Sequence, residues 1–342
     1  MVIRRHGLDY NFLGDAETGL TMRWGRVLPD NPQYAPWPEL ADISISNHCS
    51  KECGYCYRDS KRNGSFMSVR QYERVLESLQ SERWGNVFQV ALGGGEPLEH
   101  PQFKEIIERT HEKGIVANFT TNGVHLDEET VGFLKNKIGA LAISVGEIHE
   151  LSACKINLLA EAGIKTNIHF IIDNRSIYEA IDILNGRYND LLKHVNGVVF
   201  LTYKPKGRAS PDKCLKMDQG MESFIALIEK NRCNTRIGFD ACFVPVLMKY
   251  TNVDVDFIDS CECGFFSIYI DEKLNVKPCS FADSEMYSYN LNDYDMQATW
   301  ERKFKDYREE VVKNRCLGQC KNKSNCRGKC FYYDELSFCY TG

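Results

Sequence analysis

Cys49, Cys53 and Cys56 stand in a CxxxCxxC spacing within Asn47-His-Cys-Ser-Lys-Glu-Cys-Gly-Tyr-Cys-Tyr57. Three thiolates so close together can hold three irons of a [4Fe–4S] cluster, whereas a closed cluster needs four. The missing ligand leaves one iron open to another molecule. The same spacing also suits part of a zinc site, with His48 as a fourth ligand. Gly93-Gly-Gly-Glu-Pro97 follows directly on the apolar run 87–92. Glycine lets a backbone come close to a ligand, and a carboxylate suits an ammonium group. The segment is not a dinucleotide fingerprint, because Leu98 occupies the place of the third Gly.

The chain has fifteen cysteines in 342 residues, an odd number. Disulfides are rare in the cytoplasm, so clustered cysteines there read as metal ligands. One cluster is Cys261, Cys263 and Cys279; another is Cys316, Cys320, Cys326, Cys330 and Cys339. Cys154, Cys214 and Cys233 stand alone and read as small buried hydrophobes. Cys242 also stands apart.

In this order and at strand ends, CxxxCxxC and GGGEP resemble the radical S-adenosylmethionine (radical SAM) superfamily. The resemblance implies a [4Fe–4S] cluster on Cys49, Cys53 and Cys56, whose open iron chelates the amine and carboxylate of S-adenosylmethionine (SAM). It implies that Gly94, Gly95 and Glu96 contact the amine and that Tyr55 lies by the adenine. Ser144 matches the ribose-contact position, although Gly146-Glu147 replaces the usual Asp-Gly after it. Asn122 reads as a turn residue and His169 as a core histidine. The implied chemistry is reductive cleavage of SAM to a 5′-deoxyadenosyl radical, which takes a hydrogen atom from an unactivated carbon. A flavodoxin- or ferredoxin-type donor would supply the electron.

The elements that must position these residues are legible as a strand–helix alternation. Strands are predicted at 41–46, 87–92, 115–120, 141–145, 165–172 and 197–203. Helical spacing runs through Val69, Tyr72, Val75, Leu76 and Leu79, and helices are predicted at 101–113, from Asp127, and up to 162. Gly114 and Gly163 are stops. Such units argue for a parallel barrel or open partial barrel with its chemistry at the carboxyl ends of the strands, and the alternation alone also fits a doubly wound sheet. The superfamily resemblance, which covers roughly residues 40–210, narrows this to an α/β, TIM-like partial (β/α)6 barrel. The predicted division is an irregular lead-in over 1–40 with one short hairpin near 20–27, the barrel over 41–235, and a small Cys-rich domain over 236–342. The lead-in is too short for a winged-helix peptide-binding domain.

The Cys-rich region is predicted to hold a β-hairpin over 265–279 that returns Cys279 to Cys261 and Cys263. It resembles the SPASM extension of radical SAM enzymes, which carries two auxiliary [4Fe–4S] clusters. The resemblance implies Cys261, Cys263, Cys279 and Cys330 for the first and Cys316, Cys320, Cys326 and Cys339 for the second. Cys261 departs from the pattern, being only two residues from Cys263; either Cys242 replaces it or that iron is open to substrate. Leu274 stands where the family usually has Gly. Zinc is the alternative occupant of these cysteines.

A net charge of −5 gives no reason to expect nucleic acid or membrane as partner. No run of 18 apolar residues is present, and the first residues lack the apolar stretch of a signal peptide, so the cytoplasm is expected. Residues 301–330 hold ten Lys or Arg against four Asp or Glu. They read as a solvated face or as a landing site for an acidic electron donor. The SPASM resemblance implies a precursor peptide or protein as substrate, matured by cross-linking or oxidation. Sulfatase-maturating members carry an acidic base directly after the middle auxiliary Cys. Here Ser280 follows Cys279 and the next acid is Asp283, which counts against that activity. Asp240 is the candidate acid/base. Two other readings stay open: radical chemistry on a small metabolite, and a zinc-bearing binding protein.

Overall fold

The computed structural model describes residues 1–28, 30–282, 285–313, 326–336 and 338. Residues near the start form an antiparallel meander of β1 (Val2–His6), β2 (Asn11–Asp15) and β3 (Thr21–Trp24). The lead-in is therefore not irregular with one hairpin near 20–27. The sheet is held by Phe12, edge-on to Phe88 at 5.6 Å, and by Arg5, which donates to the Trp37 and Pro38 carbonyls at 3.2 Å each. Single anchors of this kind leave little period-two signal in the sequence.

The next strands build the barrel. β4 (Leu40–Ser46) is followed by α1 (Val69–Ser78) and the small pair β5 (Gln80–Ser81) and β6 (Gly85–Asn86). Then come β7 (Gln89–Gly94), α2 (Phe103–Glu112), β8 (Val116–Thr121), α3 (Glu128–Leu134), β9 (Ala140–Val145) and α4 (Ala153–Glu161). β10 (Thr166–Ile172), α5 (Ile177–Leu184), α6 (Asn189–Leu192) and β11 (Gly197–Thr202) complete the six predicted units. All six strands are parallel and neighbours in chain order. The helices start where the side chains say they should. Ser68 and Gln71 form a capping box on α1, and Asp127 accepts from Thr130 N at 2.8 Å at the head of α3. Gly114 (φ +67) and Gly163 (φ +74) take the left-handed conformation that ends α2 and α4. On β4, Ala41, Ile43 and Ile45 are fully buried against the helices, and Asp42, Ser44 and Ser46 alternate with them on the inner face.

The sheet extends beyond six strands. After α7 (Gln219–Ile228), β12 (Arg236–Phe239) adds a seventh parallel strand beside β11. α8 (Val244–Tyr250) follows. On the other flank β13 (Ser267–Ile270) lies parallel to β4, with Ser267 opposite Leu40. β14 (Asn275–Lys277) forms the predicted hairpin with β13, and β15 (Tyr289–Asn290) pairs with β14. The whole is one ten-stranded sheet, β12-β11-β10-β9-β8-β7-β4-β13-β14-β15. α9 (Met296–Ala298) runs through a π turn into α10 (Phe304–Lys313). Trp300 Nε1 on that turn donates to the Ala35 carbonyl at 3.0 Å, which ties the Cys-rich region to the barrel's entry. Among the described residues no helix is long and apolar enough to cross a membrane.

Candidate functional site

Cys49, Cys53 and Cys56 lie on the loop leaving the carboxyl end of β4, all three half-buried. The loop is fastened at its base by backbone bonds, Cys49 N to Lys61 O at 3.1 Å and Lys61 N to Asn47 O at 3.1 Å. GGGEP packs directly beneath it. Gly95 N donates to Ser46 O at 2.7 Å and Glu96 N to His48 O at 2.8 Å. A Cβ on Gly95 would fall 1.8 Å from the His48 carbonyl, and one on Gly94, at φ +103, 2.1 Å from Ser44 Oγ. These glycines thus seat the cysteine loop on β7, and the β4–β7 ladder shifts register at that point, between Ser44 and Ser46.

Glu96 is buried and already holds three donors. Its carboxylate accepts from Thr121 Oγ1 at 2.7 Å, Leu98 N at 3.1 Å and Asn122 N at 2.7 Å. Burial pushes its carboxyl above the ordinary range, against the pull of those bonds. Glu96 therefore welds the ends of β7 and β8, with one lone-pair site left over for a ligand. Asn122 beside it has a buried Nδ2 without a partner among the described residues. His48, the zinc candidate, faces Glu99 at 3.1 Å, and Ser50 N also donates to Glu99 at 2.8 Å.

Tyr55 packs its ring edge against Gly146 at the end of β9, where a Cβ would lie 2.6 Å from Cε1. Burial, Cys53 and Glu150 together raise its hydroxyl's pKa. Lys51 pairs with Glu150, which also accepts from Gly146 N at 3.0 Å. Ser144 is half-buried on the inner face of β9, in register with His169 on β10. His169 also faces inward. Desolvation holds its pKa down at about 4, so the ring is neutral.

A second site lies between the two flanks of the sheet. Cys242, Cys261, Cys263, Cys279 and Cys330 all line one cavity of about 270 Å³. A water occupies ~30 Å³ of liquid, so the cavity has room for a multi-atom group. Cys242 and Cys330 are in hydrogen-bond contact, and so are the pairs Cys261–Cys263 and Cys263–Cys279. The bond from Cys242 draws the Cys330 thiol down to about 7. Arg327 fixes the rim, donating to the Cys261 carbonyl at 2.7 Å, and Arg308 Nη1 holds the Gly264 carbonyl at 2.9 Å. Among the described residues no three His, Cys, Asp or Glu side chains converge on a single ion. Ligands of a cubane each bind a separate iron and need not converge.

Asp240, the expected acid/base, lines this cavity but is engaged. It accepts from Thr202 Oγ1 at 2.7 Å and Thr202 N at 3.2 Å, and pairs with the buried Lys204. Its contacts are those of an anchor rather than of a free base. Cys326 lies outside the cavity, lining a neighbouring groove with Arg327 and Ser260. Cys316, Cys320, Cys339 and Asp283 lie outside the described residues. Cys154 is exposed, contrary to its reading as a buried hydrophobe, while Cys214 is buried and Cys233 half-buried.

Residues 204–208, Lys-Pro-Lys-Gly-Arg after β11, connect the two sites. Arg208 donates to Cys53 O at 3.0 Å and Ser60 O at 2.7 Å on the cysteine loop. Its Nη2 is buried without a partner among the described residues. Lys206 reaches Ser280 O and Ala282 O at 3.2 and 3.1 Å, just past Cys279, and Lys204 holds Asp240. Across the join, Tyr57 and Phe281 rings meet at 4.4 Å. Sequence reasoning missed this strap, and it missed Asp42, which lines the cavity from β4. Asp42 could have been found from the alternation of Asp42, Ser44 and Ser46 with Ala41, Ile43 and Ile45.

The donor set suits an iron–sulfur cluster and its anionic ligand at the first site. Three thiols there are left free of disulfides, and two buried donors, on Asn122 and Arg208, lack partners among the described residues. Comparison with known proteins agrees. Residues 43–202 match the Radical SAM superfamily. The chain is 23% identical over 312 residues to mycofactocin maturase MftC of Mycobacterium tuberculosis, covering 82% of this chain and 75% of that one. It superposes on SuiB of Streptococcus suis bound to S-adenosylmethionine with TM-score 0.66 and 17% identity, covering 88% of this chain and 77% of SuiB. SuiB bound to its precursor peptide SuiA gives the same TM-score, 0.66. It also superposes on anSMEcpe with bound AdoMet, with TM-score 0.60 and 18% identity over 85% of this chain and 89% of that one. The fold is shared with these enzymes, and residues 43–202 form a radical SAM domain.

Proposed function

We propose that this enzyme matures a peptide or protein substrate by radical chemistry, through a cross-link or an oxidation. The radical SAM domain over residues 43–202 implies a [4Fe–4S] cluster with SAM, and Cys49, Cys53 and Cys56 are the residues that would hold the cluster. When bound, the cluster and SAM would supply the radical chemistry that takes a hydrogen atom from substrate carbon. The chain's own part is to bind, orient and exclude water. Gly94 and Gly95 seat the cysteine loop on β7, Glu96 and Asn122 would face the amino-acid end of SAM, and Tyr55 and Ser144 would face its nucleoside end.

The five-thiol cavity would hold the first auxiliary cluster, with Cys242 a ligand candidate alongside Cys261, Cys263, Cys279 and Cys330. Cys316, Cys320, Cys326 and Cys339 would hold the second. A flavodoxin- or ferredoxin-type protein is the proposed electron donor, and a reducing cytoplasm the proposed setting. The division into a lead-in over 1–40, a barrel over 41–235 and a cluster region over 236–342 is kept as a functional one, since the last two share a sheet.

The observation that carries the reading is the cysteine cavity in the sheet's seam, fastened to the SAM-site loop by residues 204–208. A substrate reaching the barrel's inner face lies between two redox groups. The relatives support a peptide as that substrate: MftC is a maturase, and SuiB binds a precursor peptide. The test is 5′-deoxyadenosine formation by the reduced, reconstituted protein with size-separated fractions of host extract. Stimulation by the peptide and protein fraction, lost after protease, is the expected result. Stimulation by the small-molecule fraction alone would transfer the activity to a metabolite.

A further inference from the structure

A cross-link or dehydrogenation removes two hydrogens from the substrate. One C–H bond breaks homolytically, and its hydrogen goes to the 5′-deoxyadenosyl radical. The second hydrogen leaves an N–H, O–H or S–H group as a proton and an electron, while the new bond forms in the substrate. The electron's acceptor, by class, would be an iron–sulfur cluster held by four of the five thiols. The proton needs a base facing the same space, and Ser280 cannot serve as one.

Among the described residues two carboxylates line the cavity, Asp42 and Asp240. Asp240 is neutralised by Lys204 and bonded twice by Thr202. Asp42 is half-buried, and among the described residues its carboxylate has no hydrogen bond or ion pair. Its oxygens are not sealed off either. It projects from the inner face of β4, the strand that leads to Cys49. The charge that acts on it is Arg58, whose Nη2 is taken by Glu272 at 2.5 Å and Ser44 at 3.3 Å. Tyr57 flanks Asp42, and Tyr269 on β13 is its cross-strand partner. Across the cavity lie Lys204 with Asp240, Arg327, Lys329 and the five thiols.

We propose that Asp42 is the catalytic proton acceptor for the substrate, placed between the SAM site and the five-thiol site. The assignment rests on the maturase reading above. Burial supports it by raising the carboxyl from 3.8 to about 7, which suits a base working at neutral pH.

The test compares reconstituted wild-type holoenzyme with Asp42→Asn and Asp42→Glu, using the host's size-separated peptide fraction. Asp42→Asn is expected to keep its iron and its peptide-stimulated 5′-deoxyadenosine. Modified peptide, counted by mass spectrometry, should fall about 100-fold or more, with Asp42→Glu restoring part of it. The wild-type modification rate should rise through pH 7, and the residual rate of Asp42→Asn should not. Infrared spectra of the protein without substrate should show a carboxyl losing its proton near pH 7, absent from Asp42→Asn. Equal peptide modification by Asp42→Asn would overturn the role, as would loss of iron in that variant or absence of the infrared titration. A wild-type enzyme that modifies no peptide would bring down the maturase reading, and the proposal with it.

Discussion

At Gly95 the space open to a methyl group sets the outcome of a substitution. A Cβ there would lie 1.8 Å from the His48 carbonyl, so Gly95→Ala must push the cysteine loop off β7. We expect that variant to lose about four irons and SAM cleavage together, read by iron analysis and 5′-deoxyadenosine formation. Gly132→Ala is the control. Gly132 sits in α3 with nothing within 4 Å of its Cβ position, so alanine should stabilise by about 0.5–1 kcal/mol. Glu96→Gln turns a carboxylate that holds three donors into a group with an amide facing one of them. It should cost about 1–3 kcal/mol in denaturant unfolding. His169 carries a pH signature. Its folded pKa, about 4, lies below the ordinary 6.5, so between these values the unfolded chain binds the extra proton. Stability should therefore rise from pH 4 to 6.5 by on the order of 1–3 kcal/mol, and His169→Gln should flatten that slope in melts across the range. The GGGEP motif was legible in the sequence, and the superfamily resemblance turned Gly94, Gly95 and Glu96 toward a ligand. That they also clamp the loop to β7 and β8 was not legible, because the partner atoms come from His48, Ser44 and Asn122 only after the chain folds.

At the scale of elements, two short segments carry the arrangement. The strap at 204–208 passes so close to the cysteine loop that a Cβ on Gly207, at φ +66, would meet the Cys56 carbonyl at 2.5 Å. Lys204→Met leaves Asp240 buried without its cation and should cost about 3–5 kcal/mol. Adding Asp240→Asn should recover part of that loss, measured as a double-mutant cycle. The β13–β14 hairpin turns through Leu274 at φ +68, where glycine would be unstrained. Replacing Leu274 by Gly relieves about 1–2 kcal/mol of left-handed strain. It also gives up burial worth about 1.5–3 kcal/mol and adds chain entropy, so the net effect is destabilising. The six βα units were legible because each strand is a bounded apolar run and each helix has its own cap or stop. β12 was not, and neither was the place of β13 in the sheet, although its hairpin with β14 was. β12 and β13 are each four residues long, and β13 joins the sheet at β4, with Ser267 opposite Leu40, more than two hundred residues back along the chain. Sequence periodicity reports local faces and is blind to pairings of that range.

For the whole molecule, one sheet carries two thiol sites on either side of its inner face. The site that opens on β4 belongs to the strand ends of the barrel, and the five-thiol cavity to the seam between β12 and β13. The central claim is that hydrogen passes from a peptide held between them to the SAM-derived radical. Its most direct measurement uses extract of the host grown in deuterated medium, separated by size, with the reduced, reconstituted enzyme in ordinary water. With the peptide fraction, 5′-deoxyadenosine should gain deuterium, and protease treatment of the fraction should remove the gain. Deuterium arriving only from the small-molecule fraction, or from neither fraction, would contradict the account.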